Sequence, residues 1–117
     1  MTTVQTDTPN YVFIKDLKQL SEGAPEDGIV SRSLYKKGKT NVTLFDFAAG
    51  QSLSEHTAAV PAMLHILSGQ ATISFGDDEY EAHEGSWAYM QPHLPHSIVA
   101  KTAVKMLLIL FPIAIGS

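Results

Sequence analysis

Apolar and polar residues alternate in short runs along most of this chain, and Gly, Pro or paired acids interrupt the runs at regular spacing. That period-2 texture predicts strands. Residues 11–15 read as a first strand, Asp16 as the cap of a short turn through Leu20, and residues 21–28, with two Gly and one Pro, as a loop. Residues 29–36 and 41–48 form a hairpin about the charged turn 36–39. Residues 63–67 and 71–75 are strands joined across Ser68-Gly69-Gln70, and Gly76-Asp77-Asp78 turns the chain into residues 79–83. Strands over residues 86–90, 96–101 and 104–111 follow, the first two separated by a Pro-bracketed turn at 91–95.

Eight or nine short strands without a convincing long helix predict an all-β sandwich or barrel. Residues 107–111 are apolar at consecutive positions, so the last strand is expected to be covered on both faces. It is either central in its sheet or buried by dimerisation.

At 117 residues the chain makes one domain, expected over residues 11–117 behind a flexible arm at 1–10. A hydrophobic content of 44% against 17% charged residues fits a folded globule with some surface covered by a partner subunit. The net charge of −4 and the dispersed basic residues argue against nucleic acid or an anionic membrane as partner. With no cysteine, thiol nucleophiles, disulfides and thiolate metal sites are excluded. Residues 1–10 lack the pattern of a secretory signal and the run 106–111 is too short to span a bilayer, so the expected location is the cytoplasm. No phosphate loop, dinucleotide fingerprint or serine elbow occurs.

Candidate chemistry rests on histidines. His56 follows Gly50 by six residues, and His96 follows Pro95 in the turn after Gly85. Alternation puts Ser54 and Ala58 on the face of His56, sends Glu55 to the other side, and groups Ile98 and Ala100 with His96. Together with Gly69 and the strand Met63-Leu64-His65-Ile66-Leu67, this spacing resembles the two motifs of the cupin superfamily. The likeness spans about residues 41–109 and implies a double-stranded β-helix, or jelly-roll, barrel. Where a metal-binding cupin carries its second His and its Glu, this chain has Ala58 and Ala62.

By this resemblance, His56 and His96 would be catalytic residues and metal ligands, with His93 or water completing the shell of a divalent ion such as Fe, Ni, Zn or Mn. Two imidazoles alone would hold such an ion weakly. His93 stands where the motif has Gly, and a turn that tolerates positive φ explains it as well as ligation does. Parity turns His65 away from the cavity, toward a sheet or subunit contact, and His83 falls with Glu79 and Glu81 on a wet face. Parity also separates Trp87 and Tyr89 from Ala88 and Met90 without saying which pair faces inward. Gln51 and Gln91 read as solvated turn residues.

The expected function is a small cupin that encloses a small organic molecule and directs its acidic or carbonyl oxygen at His56 and His96. It would be either a metal-assisted enzyme of dioxygenase, isomerase, cyclase or decarboxylase type, or a metal-free one with an imidazole as general base. The alternative is a non-catalytic binding or sensing module that has lost its metal site. A third reading is a structural homodimer without ligand. Dimerisation is expected in each case from exposed strand edges, the apolar last strand and the habits of the superfamily.

Overall fold

The computed structural model describes residues 10–112, so the expected arm lies, apart from Asn10, outside the described residues. Nine strands follow one short 3₁₀ turn. They are β1 (Ile29–Lys37), β2 (Thr40–Phe47), β3 (Ser52–His56), β4 (Ala62–Ser68), β5 (Gln70–Phe75), β6 (Asp78–His83), β7 (Trp87–Met90), β8 (His96–Ala100) and β9 (Val104–Leu110). Two antiparallel sheets result, one in the order β1-β2-β9-β4-β7 and the other β3-β8-β5-β6. This is the expected jelly-roll barrel.

Alternation does most of the work. Phe47, Val104, Met106, Ala62, Leu64, Ile66 and Met90 point inward from the first sheet, and meet Ile98, Ala100, Ala71, Ile73 and Ala82 from the second. Burying each larger side chain contributes about 1.5–3 kcal/mol. The last strand is central, between β2 and β4, which accounts for its consecutive apolar residues. Among the described residues, no helix is long and apolar enough to cross a membrane.

The β4–β5 turn depends on Gly69. Its φ is +92°, and a Cβ added there would overlap the carbonyl of Ala103.

Residues 11–15 do not form the expected strand. Ile14 and Leu17 lie with Val12 and Phe13 over Leu34, Val42 and Leu107, so the segment crosses the outer face of the five-stranded sheet instead of joining an edge. Its apolar residues serve face contact, without a ladder to complete. Asp16 does cap the 3₁₀ turn Leu17–Gln19, accepting from the amide of Lys18 at 3.1 Å. Farther on, Lys105 ties this segment to the sheet: its Nζ reaches Asp46 Oδ1 at 2.7 Å and the carbonyl of Ser21 at 3.1 Å, while the Ser21 hydroxyl donates to Asp46 Oδ2. Asp46 is buried, so its charge is matched inside the fold.

Candidate functional site

β3 and β8 pair antiparallel, and their last aligned partners are His56 and His96. The ring centroids are 4.2 Å apart, with the planes inclined by 58°. Residues forty positions apart in sequence thus meet at one end of the barrel.

Both rings are oriented in the same way. His56 Nδ1 lies 2.8 Å from the carbonyl of Ser54, and His96 Nδ1 lies 2.8 Å from the carbonyl of Leu94. A carbonyl oxygen only accepts, so each Nδ1 carries the proton and, in the neutral ring, each Nε2 keeps its lone pair. His56 is exposed and His96 half-buried. Removal from water holds the His96 imidazole below its ordinary value; the hydrogen bond to Leu94 opposes this and the nearby His56 adds to it.

Inward of the rings, Leu53, Leu64, Ile73, Met90, Met106 and Leu108 close around a cavity of about 20 Å³. That is room for one water-sized group. Anything larger than that does not fit inward of the rings.

One expectation about this wall is corrected. The β3–β8 register shifts between Leu53 and His56, so three steps on β3 match two on β8. This β-bulge places Leu53, rather than Ser54, on the wall with His56, because the extra residue reverses parity. Ile98 and Ala100 do follow His96 inward, as alternation predicts.

The other candidates fall elsewhere. His93 is exposed, with φ +69° and its amide donating to the Ala58 carbonyl at 2.7 Å, which is the turn geometry. Among the described residues, no three His, Cys, Asp or Glu side chains gather into a metal-holding group, so His93 does not join His56 and His96. Ala62 is buried in the core. The residues present thus fall short of the three protein ligands of a catalytic divalent site, and the site's own chemistry is that of paired imidazoles. His65 lies on the outer face of the first sheet, opposite Trp87 and Leu107 in register. His83 is exposed, with Nδ1 against the carbonyl of Glu84, and Gln91 is exposed in its turn.

Two groups that position the rings were not singled out from sequence, the carbonyls of Ser54 and Leu94. Every residue has a carbonyl, so residue type carries no signal for them.

Two Nε2 lone pairs on adjacent rings can accept hydrogen bonds from an acid, an enol or a hydrated carbonyl. A neutral imidazole can also take a proton from such a group.

A family model described as a cupin domain matches residues 43–111. Among solved structures, a conserved protein of unknown function from Streptococcus pyogenes is 29% identical, with 92% of this chain and 94% of that chain covered at a TM-score of 0.78. A cupin superfamily protein from Desulfitobacterium hafniense is 27% identical over 90% of this chain and 94% of that one, also at 0.78. An RmlC-like cupin with a double-stranded β-helix fold from Methanocaldococcus jannaschii is 15% identical, covers 80% of this chain and 87% of that one at 0.69, and bears on the fold alone. No protein of curated function matches the chain.

Proposed function

The chain belongs to the cupin family, and from that premise we propose that it holds a small organic molecule at the barrel mouth, an acidic, enol or hydrated-carbonyl O–H of that molecule donating to Nε2 of His56 and of His96. The observation that carries this reading is the shared pinning of both Nδ1 atoms to backbone carbonyls, on rings 4.2 Å apart. Fixing two acceptors before the ligand arrives removes part of the ordering cost of binding. The lowered His96 leaves a neutral base at pH 7, suited to accept a proton from an acidic C–H or O–H beside it.

The test is a ligand-observed NMR screen of small keto acids, enolisable diketones and hydroxy acids against protein purified without an affinity tag. Binders from these classes are expected, with affinity reduced at least tenfold in both His56→Gln and His96→Gln. Equal binding by the double variant would overturn the reading. So would near-stoichiometric metal in the untagged protein, which would require donors other than those described.

We also propose that two copies pair through the outer face of the five-stranded sheet. Tyr11 and Phe13 stand 80% and 78% exposed beside it, and Tyr89 is also exposed there, in register with Met63 and, through Met63, with Ile109. The net charge of −4 disfavours self-association at most surfaces. On this face the charges of Lys105 and Asp46 are already matched, so this pair adds no like-charge repulsion when an identical face meets it. Sedimentation at micromolar concentration should give twice the chain mass, and Phe13→Ser should shift the mass toward the monomer. A wild-type mass of one chain would refute the pairing.

A further inference from the structure

The sandwich is open on the side away from β3. β6 and β7 are the outer strands of their sheets on this side, and they are joined to each other only by the turn after His83. Each has an alanine on its inner face, Ala82 opposite Ala71 and Ala88 opposite Leu64. Two small side chains facing each other leave the layers unfilled. The result is a cleft of about 350 Å³, large enough for a small ligand.

Its lining has one character. The floor is Leu64, Ile73, Ala82 and Ala88, and the rim carries the rings of Phe75 and Tyr80, with Trp87 bounding the space on the edge strand. Phe75 and Tyr80 have ring centroids 6.1 Å apart, and Tyr80 and Trp87 remain 59% and 60% exposed. No charge is directed into the space. Glu81 contributes to the lining, but its carboxylate is engaged by Lys101 at 2.7 Å and Thr72 at 2.9 Å, and Thr72 alternates with the buried Ala71 and Ile73 and so lies on the outer face. The Ser86 hydroxyl accepts from the His83 amide.

We infer that this cleft is a second binding site, separate from the imidazole pair, for a small, flat, uncharged aromatic molecule. An apolar floor selects against charge, because an ion placed there would lose its water without gaining a partner. The two rings at the rim favour a flat aromatic body over a branched aliphatic one, since offset and edge-to-face stacking add to area burial. The site does not depend on what His56 and His96 do. Leu64 and Ile73 line both spaces, whereas Leu53 and Ile98 line only the one at the imidazoles.

The test is titration of methyl-labelled protein with 2-naphthol, followed by NMR. Saturable shifts are expected at the Ala82, Ala88 and Ile73 methyls that line the cleft. The Leu53 and Ile98 methyls should stay in place. Ala88→Leu, which fills the cleft, should weaken binding at least tenfold. If that variant does not fold, Tyr80→Ala at the exposed rim should weaken it at least threefold. The inference is overturned if no shift saturates below the solubility limit of the probe. It is equally overturned if the shifts map to Leu53 and Ile98, or if binding by a folded variant is unchanged.

Discussion

His96 and Phe75 are register partners across the β5–β8 ladder, so the half-buried imidazole has an aromatic neighbour on one side and the second imidazole, on β3, on the other. That position explains the direction of its proton affinity. Loss of water is the largest influence holding it down, and the potential charge of His56 acts the same way.

Stability should depend on pH accordingly. Unfolded His96 takes up its proton near the ordinary 6.5, whereas the folded ring takes it up only at lower pH. Between those points the unfolded chain binds more protons, so the stabilisation present above 6.5 falls as pH falls through the window and levels off below the folded value. Urea midpoints at steps from pH 8 to 5 should drop more steeply for wild type than for His96→Gln. In His56→Gln, the NMR titration of His96 should move upward.

Gly69→Ala tests the turn that closes β4 onto β5. A left-handed φ and overlap with the Ala103 carbonyl act together, so we expect a loss of about 2–4 kcal/mol in denaturant unfolding. A loss below about 1 kcal/mol would mean that the β8–β9 connection yields readily.

His93→Gly is expected to leave stability within about 1 kcal/mol of wild type, since glycine suits φ +69° yet gains freedom in the unfolded chain. It should also bind the ligands found by screening as wild type does. A tenfold loss of binding would return His93 to the site.

Lys105→Met leaves the buried Asp46 carboxylate with Ser21 as its hydrogen-bond partner, and we expect it to cost about 3 kcal/mol. Adding Asp46→Leu should recover most of that loss, because a matched apolar pair replaces a matched ionic one. If the double variant is as unstable as the single, the pair has a further role in holding the segment around Ser21.

What could be read from the sequence followed from local periodicity. Residues 71–75 and 96–101 alternate cleanly, and their strands appeared where alternation placed them, with Ile98 and Ala100 inward. The meeting of His56 and His96 was legible because motif spacing, learned across a family, encodes a long-range pairing that periodicity alone cannot. Leu53 was not legible: a bulge reverses parity through one extra residue, and nothing in Ser54-Glu55 marks it. Residues 11–15 carry strand-like side chains, but strand formation also needs a free edge, which is a property of the assembled sheets. Nor could the orientation of Trp87 and Tyr89 be fixed until Ala88 and Met90 were seen to face the core. The β6–β7 cleft depends on which strands end as edges, and so arises only in the folded chain.

The pairing of the imidazoles is tested most directly by long-range ¹H–¹⁵N correlation spectra of histidine-labelled protein at pH 8, recorded with and without a ligand from the screen. Both His56 and His96 should show a protonated Nδ1 and an unprotonated Nε2, and both Nε2 signals should shift on binding while His65 and His83 do not. A protonated Nε2 on either ring at that pH, or a ligand that moves neither signal, would contradict the assignment of this pair as the binding centre.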